Sequence, residues 1–378
     1  MAAEVTDTPL SILHVLAPAD VGGLETVVRT LALGHSAMGH TVTIAAVLDV
    51  PSNPFVEEAR DAGLTVHVIH SPARTFAPER NGVRKLLSDL SVDVMHSHGY
   101  RSDILDIGVA RAMGVPSVTT LHGFSATDRK ARAYEWLQIR AARRASAIVA
   151  VSVNVAEKML RAGAARSRVH LIRNALGSAG TTLDATTARQ RLEIGPGLRI
   201  GWIGRLSSEK GPDVMLQAMT HLADLDVGLS IVGDGPNMAA LTHLAEELRI
   251  APRTRFHGRM PNAGELLRGF DVLALSSRTE GTPMVLLEAM SCGVPIVATS
   301  VGGVPDMLSS AEALLVAPQD PSALAAGLRS VLADPDESVR RADRARARLL
   351  AQFDTDSWLR EYESLYRSIQ PVTPTTVR

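Results

Sequence analysis

The sequence is poor in cysteine and in aromatic residues, and it has no long apolar run. Cys292 is the one cysteine among 378 residues, so no intrachain disulfide can form and a reducing compartment is expected. Its apolar surroundings, AMSCGVP, favour buried packing over catalysis. No stretch approaches the ~20 apolar residues of a membrane span, and the first residues, MAAEVTDTPLS, lack the pattern of a signal peptide. These absences favour a cytoplasmic protein whose membrane contact is at most peripheral, at the inner face.

An excess of either charge is also missing. The formal net charge is -1, which argues against binding of nucleic acid by the whole chain and leaves a local basic patch open. His96 and His98 share a strand face, but no third ligand stands at a convincing spacing, so no metal is expected.

The fingerprint of a dinucleotide-binding dehydrogenase is absent as well. Neither the glycines of APADVGGLETVV nor those of VGDGPNMAA have the G-x-G-x-x-G spacing. No acidic residue closes the second predicted strand, TVTIAAV, where a ribose would be held. Both observations disfavour a dehydrogenase.

What is present is a repeated alternation of short β-branched runs with longer amphipathic stretches. This βαβ rhythm predicts an α/β protein with two Rossmann-like domains that face each other across a cleft. Ligands of such sheets gather where strands end and helices begin. The predicted divisions are an N-terminal domain at 1–176, a linker at 177–198, a C-terminal domain at 199–354, a final helix at 355–370 and a disordered tail at 371–378.

Cations and glycines stand at two of these strand-to-helix junctions. Gly22 and Gly23 follow the first predicted strand, where the backbone and a helix N-terminus can approach an anion. Arg205 and Lys210 lie in GRLSSEKGP, where they suit a diphosphate clamp. Two solvated surface cations, with Glu209 as a partner, remain the alternative.

The stretch EGTPMVLLEAMSCGVP contains its own helix signals. Thr282 suits the N-cap, Pro283 the first helical position and Gly293 the C-cap. Glu280 then precedes a helix N-terminus, which carries partial positive charge, and Glu288 projects from the second turn. Phosphate at the helix start and a sugar hydroxyl on each carboxylate would account for this arrangement. An internal salt bridge of Glu288 is the alternative.

Two further features stand in the first half. His98 and His122 each end a predicted strand and precede a glycine, which suits a polar contact at a cleft or a satisfied histidine beside a turn. The stretch from 129 to 144 has six basic residues and one acid, with aromatic and aliphatic residues between them. Such a helix could rest on an anionic membrane, or it could be an ordinary solvated face.

Taken together, the motifs resemble retaining glycosyltransferases of the GT-B fold, family 4 (glycosyl transferases group 1). The resemblance covers about residues 10–368 and implies that 1–176 is the acceptor-side domain and 199–354 the donor-binding domain. It rests on four motifs in the order of the family, which are GGLE at 22–25, GRLSSEKG at 204–211, VGDGP at 232–236 and EGTPMVLLEAMSCGVPIVATSVGGVPD at 280–306.

The resemblance implies a role for each matching residue. Arg205 and Lys210 would hold the diphosphate of the donor, and Glu288 the ribose. Glu280 and His122 would contact the transferred sugar, and the final helix would cross back to the first domain. Further donor-binding positions are Gly22, Gly23, Gly233, Arg259, Thr282, Met284 and Val285. The acceptor side would include His98, Tyr100, Arg129 and Lys130.

One departure concerns Pro283, where many members of the family have glycine. Proline offers no amide, so the contact is expected from Met284 and Val285, and the sugar stays open. The family typically needs no metal, so a nucleotide sugar is expected as co-substrate without a cofactor.

The expected function is transfer of a sugar from a nucleoside diphosphate, with UDP as first choice, to a hydroxyl of a glycan, glycolipid or small acceptor. Retention of the anomeric configuration and a role in cell-surface polysaccharide or glycolipid synthesis go with it. A sugar-nucleotide epimerase of the same fold and a non-catalytic sugar-nucleotide-binding subunit are the alternatives.

Overall fold

The computed structural model describes residues 8–19, 22–72, 75–124, 129–177 and 182–371. Two compact units are present: unit 1 is Met1–Arg173 with Asp356–Arg378, and unit 2 is Asn174–Thr355. The tail that was expected to be disordered lies outside the described residues from 372 onward.

Unit 1 is a parallel sheet with helices between its strands. The strands are β1 Ser11–Leu16, β2 Thr41–Leu48, β3 Thr65–His70, β4 Val94–His98, β5 Ser117–Leu121, β6 Ala147–Ala150 and β7 Val169–Leu171. The helices are α1 Gly23–Ala37, α2 Pro54–Asp61, α3 Ala77–Asp89, α4 Tyr100–Ala112, α5 Arg129–Ala142 and α6 Val153–Arg161. The final helix of the chain, named below, joins them.

Unit 2 repeats this plan. Its strands are β8 Leu198–Ile203, β9 Val227–Val232, β10 Thr254–Gly258, β11 Val272–Leu275, β12 Ile296–Thr299 and β13 Leu314–Val316. Its helices are α7 Ala185–Arg191, α8 Pro212–Thr220, α9 Met238–Glu247, α10 Met284–Cys292, α11 Val304–Met307, α12 Pro321–Ala333 and α13 Pro335–Gln352. The interval 177–198, expected as a linker, contains α7, which Asp184 caps by accepting a hydrogen bond from the Thr187 amide at 3.0 Å.

The strand orders explain where ligands should bind. Unit 1 has the order β3-β2-β1-β4-β5-β6-β7 and unit 2 the order β10-β9-β8-β11-β12-β13, and all pairs are parallel. In each sheet the order reverses between two central strands, β1 and β4 or β8 and β11. Ligands of doubly wound sheets bind at the carboxyl ends of the strands at this reversal. The predicted fold class, two Rossmann-like domains, is confirmed.

Local capping signals predicted the helices next to the candidate site to within one residue. Helix α8 begins at Pro212, after Gly211 in a left-handed conformation with φ of 62°. Helix α10 begins at Met284, one residue later than predicted, and it ends before Gly293 with φ of 68°. Pro283 was wrongly placed in the first turn: its ψ of 112° is extended, so Pro283 and not Thr282 is the N-cap.

The last helix, α14 Thr355–Ser368, packs in unit 1 although it follows unit 2 along the chain. Its buried residues include Trp358, Leu359, Tyr362 and Tyr366. The backbone carbonyl of Leu359 is 3.1 Å from Nε2 of His35 in α1. This agrees with the crossover expected for the final helix. Among the described helices of both units, none combines the length and apolar character needed to cross a bilayer.

Candidate functional site

Lys210 and Glu280 form the centre of the candidate site in unit 2. The Nζ of Lys210 is 2.8 Å from each carboxylate oxygen of Glu280, and the Ser277 hydroxyl donates to Oε1 at 2.6 Å. Side-chain exposure is 30% for Lys210 and 4% for Glu280. The lysine thus keeps solvent access while it balances a nearly buried carboxylate. The pair lies after β8 and β11, at the strand reversal where a ligand is expected.

Hydrogen bonds hold the two loops of this pair together. The Trp202 indole donates to Oγ of Ser276 at 3.0 Å, and this hydroxyl donates to the Gly211 carbonyl at 2.7 Å. A Cβ on Gly211 would lie 2.2 Å from the Ser276 carbonyl oxygen, and one on Gly302 would lie 1.8 Å from that of Glu280. Only glycine permits such close backbone contact, and both glycines have positive φ. The loop geometry around Lys210 and Glu280 is therefore fixed by the fold.

Arg205 is exposed, and its guanidinium has no ion-pair or hydrogen-bond partner among the described residues. Glu209, considered from the sequence as a partner of these cations, accepts from the Ser207 hydroxyl at 2.6 Å, whereas Lys210 pairs with Glu280. Arg205 is thus available to an anionic ligand.

Glu288 has an unusual environment on α10. Its carboxyl group lies against the 3₁₀ segment Ala263–Gly269, because a Cβ on Gly264 would be 2.9 Å from its Cδ. The carboxyl has no hydrogen-bond partner among the described residues, although part of the side chain remains exposed. Burial raises its pKa to about 7. The internal salt bridge considered from the sequence is therefore absent among the described residues. A poorly solvated carboxyl without a partner costs stability, which is typical of functional sites.

The N-terminus of α10 stands between these two glutamates along the chain. The Leu286 amide donates to the Pro283 carbonyl at 3.1 Å, so the amides of Met284 and Val285 precede the first bond of the helix. Thr282 is buried just before the helix. This end carries partial positive charge and can bind an anion.

The other donor-side positions of unit 2 are a glycine and an arginine. Gly233, with φ of 142°, donates its amide to the Gly258 carbonyl at 2.8 Å, and its Cβ would be 1.9 Å from the Gly204 carbonyl oxygen. Arg259 follows β10 and is exposed.

Cys292 is buried, and burial raises its thiol pKa to about 11, so it remains a protonated thiol near neutral pH.

The remaining predicted residues belong to unit 1. Gly22 is the N-cap of α1 and Gly23 its first residue. The Glu25 carboxylate accepts from the Ala19 amide at 2.9 Å and lies 2.8 Å from where a Cβ of Gly22 would be. An acidic side chain of the protein therefore lies over this helix N-terminus.

His98 ends β4 and His122 follows β5, with their ring centroids 5.8 Å apart. Burial lowers the pKa of His122 to about 4 and that of His98 well below its ordinary value, so both are neutral near pH 7. Nδ1 of His98 and Nε2 of His122 have no hydrogen-bond partner among the described residues. The two side chains thus offer buried polar atoms at one sheet edge.

A third histidine, His14, belongs to this cluster and was not among the residues predicted from the sequence. His14 of β1 pairs in register with His96 of β4, and the nitrogens of His14, His96 and His98 lie within 4.8 Å of one another. The signal was the histidine inside the apolar run SILHVLA, but strand order decides which strand becomes its neighbour. Sequence spacing indicated no third ligand for His96 and His98, whereas the strand order brings His14 beside them.

The other acceptor-side predictions lie on exposed surface. Tyr100, at the start of α4, is 56% exposed and has its ring 5.5 Å from that of Tyr134 on α5. Arg129 and Lys130 are exposed at the start of α5. Unit 1 thus presents aromatic and basic side chains on neighbouring helices.

Comparison with known proteins places each unit in a described family. The family model named Glycosyltransferase Family 4 matches residues 21–176, and the one named Glycosyl transferases group 1 matches residues 184–348. The glycogen synthase of Mycobacterium tuberculosis is 28% identical, and the match covers 89% of both chains. The D-inositol 3-phosphate glycosyltransferase 1 of Catenulispora acidiphila is 28% identical, with 84% of both chains covered.

A solved structure shows the same fold. Anabaena HepE in complex with UDP-glucose superposes with a TM-score of 0.86 at 21% identity, over 95% of this chain and 100% of that protein.

Proposed function

The chain belongs to the group 1 glycosyl transferases with the GT-B fold and is a glycosyltransferase, and we propose that it moves a sugar from UDP to a hydroxyl acceptor with retention of configuration. The observation that carries the proposal is the Lys210–Glu280 pair beside the N-terminus of α10, with Glu288 unpartnered on the same helix. Diphosphate, ribose and sugar each have a chemically matched group there.

The chemistry assigned to these groups is mainly electrostatic. Departure of the nucleoside diphosphate builds negative charge, which Lys210, Arg205 and the free amides of α10 stabilise. Because fixed cations of the protein supply this charge, the proposal includes no divalent metal. No second carboxylate takes the place of a covalent nucleophile in the motifs, so we favour a front-face displacement over a double displacement.

The donor follows from the relatives and not from one residue of this chain. The Anabaena neighbour is described in complex with UDP-glucose, and UDP is therefore the first nucleotide to test. Pro283 lacks the amide that glycine would offer at this position, and for that reason the transferred sugar is left open.

A donor panel tests the proposed function directly. Incubation of the protein with UDP- and GDP-sugars plus candidate hydroxyl acceptors is expected to release UDP in an acceptor-dependent manner. A donor-only incubation, with the products separated by chromatography, checks for epimerised donor. An epimer without nucleotide release would overturn the proposal, and so would the absence of release from every donor.

We further infer that α5 brings the protein to an anionic membrane surface, where a lipid-linked or cell-surface glycan would be the acceptor. Six basic residues are exposed on or just after α5: Arg129, Lys130, Arg132, Arg140, Arg143 and Arg144. Trp136 is 62% exposed, whereas Gln138 is buried and donates to Asp103 at 2.8 Å. One side of α5 is thus anchored in unit 1 while a basic and aromatic side faces solvent, as interfacial helices require.

Vesicle flotation at low salt tests this part. The wild-type protein is expected to bind vesicles with 30 mol% phosphatidylserine and not neutral vesicles. Each basic residue near an anionic surface contributes about 1 kcal/mol to binding, and salt screens this attraction, so binding should weaken at high salt. Trp136→Ala together with Lys130→Glu should reduce binding about tenfold. Leu350→Ala removes an apolar side chain of α13 that is 72% exposed and should change nothing. Equal binding to neutral vesicles, or no binding, would favour a soluble acceptor.

A further inference from the structure

We propose that His14 is a positioning residue that holds His98 as the tautomer with its proton on Nδ1, so that His98 presents a neutral N–H donor to an oxygen of the acceptor. The identity of the bound oxygen rests on the proposed function. The tautomer itself does not, because it follows from contacts inside unit 1.

The first step is the contact between the two imidazoles. Nδ1 of His14 is 3.0 Å from Nε2 of His98, and the side chains are 0% and 1% exposed. Their strands are neighbours, with Leu16 of β1 opposite His98 of β4. In a neutral pair one nitrogen donates and the other accepts, so this bond fixes both tautomers together.

The second step decides the direction of the bond. Nε2 of His14 and Nδ1 of His98 have no partner among the described residues. Either direction leaves one N–H without a partner: on Nε2 of His14 if His98 donates, or on Nδ1 of His98 if His14 donates. An unpartnered N–H is costly, and His14 lies in the middle of β1, so we place the N–H on His98. His98 is the last residue of β4 at the strand reversal, where a ligand can accept this hydrogen bond.

The third step concerns the neighbours that keep His98 neutral and in place. The ring of His96 is 4.0 Å from that of His98, and its two nitrogens contact the Tyr366 hydroxyl at 2.7 Å and Oγ1 of Thr120 at 2.8 Å. Thr120 is in turn 3.1 Å from the Tyr362 hydroxyl. Hydrogen bonds with Tyr362 and Tyr366 of α14 thus hold Thr120 and His96 in place beside His98.

The titratable groups that act on His98 are the imidazoles of His14, His96 and His122, and His35 acts on His14. Each added positive charge would repel the others, and burial lowers the pKa of His14 to about 3. The three-histidine geometry could also suit a metal ion, but both nitrogens of His96 are already occupied. Hydrogen bonding therefore accounts for more of the contacts than ligation does.

The tautomer can be read directly by NMR. Long-range proton–nitrogen correlation spectra of histidine-labelled protein at pH 7, with the His98 signals assigned from a His98→Gln variant, are expected to show a protonated Nδ1 and an unprotonated Nε2. Observation of the Nε2–H tautomer, of an imidazolium, or of a stoichiometric bound metal in the purified protein would overturn the proposal.

Kinetics test the consequence for the acceptor. His14→Leu removes the donor and should lower kcat/KM for the acceptor about tenfold, the value of one hydrogen bond, with the donor KM unchanged. His14→Asn places an amide N–H near the position of Nδ1 and should restore activity to within threefold of wild type. His67→Asn changes an exposed histidine of β3 and serves as control.

These outcomes separate the two proposals. Equal acceptor kinetics for folded His14→Leu and wild type would overturn the positioning role. If no sugar nucleotide is used at all, the proposed function fails, and the NMR spectrum still decides the tautomer. Thermal unfolding of both variants shows whether the core tolerates them.

Discussion

Replacement of Lys210 by alanine is expected to lower kcat/KM for the nucleotide sugar by about 10²- to 10³-fold, because a fixed cation at the departing diphosphate is worth roughly 3 to 4 kcal/mol. Lys210 is suited to this role since its ammonium is 2.8 Å from Glu280 and still 30% exposed. Steady-state release of UDP measures the effect.

Among the described residues, the same substitution leaves the Glu280 carboxylate with the Ser277 hydroxyl as its side-chain hydrogen-bond donor. A nearly buried carboxylate without its cation should lower the melting temperature, with a free-energy loss of about 1 to 3 kcal/mol. The double variant Lys210→Ala, Glu280→Gln should recover most of this stability and none of the activity. Lys85→Ala removes a surface lysine paired with Asp89 and is the control. Folded Lys210→Ala with activity within threefold of wild type would disprove the assigned role.

Local signals explain why much of the donor side could be predicted. Gly211 before Pro212 and Gly293 after Cys292 act through the conformation of their own residues, so a sequence is sufficient to place α8 and α10. Even here the boundary at Pro283 was one residue off, because helix ends depend on ψ values that no residue type dictates. The alternation of strands and helices likewise predicts the two sheets.

Contacts between distant residues explain what could not be predicted. His14 meets His98 across 84 residues and His96 meets Tyr366 across 270, and both contacts depend on strand order and on where α14 packs. The same holds for Glu288, which the sequence places correctly on its helix. Its raised pKa depends on the segment around Gly264, whose position against α10 is a matter of tertiary packing.

Replacement of Glu288 by glutamine is expected to weaken donor binding by about 10- to 100-fold, because a charged hydrogen bond to a ribose hydroxyl is worth about 1.5 to 3 kcal/mol. The carboxyl has a pKa of about 7, so the wild-type kcat/KM for the donor should rise with pH up to that value as the carboxylate forms. Glu288→Gln should lose this pH dependence. Donor titrations between pH 5.5 and 8.5 measure both effects.

The stability of the wild-type protein should depend on pH in the opposite direction to kcat/KM for the donor. The pKa of Glu288 is raised from 4.5 to about 7, so the folded state holds the proton more tightly than the unfolded state does. Stability therefore falls as pH rises between these values, by at most about 3 kcal/mol and by less because part of the side chain is exposed. Above pH 7, Glu288→Gln should melt at a higher temperature than wild type, whereas at pH 5 the two should be closer.

Together the two effects distinguish a functional carboxyl from a structural one. If Glu288 stabilised the fold, its replacement would lower the stability of the protein, and donor affinity would not depend on its charge. Glu246→Gln, on the exposed side of α9 in the same unit, should change neither property. If the Glu288→Gln variant were less stable than wild type at pH 8 and bound the donor normally, the role of the Glu288 carboxyl would be to stabilise the packing of α10. A gain in stability with a loss of binding would show a group that is retained for its ligand.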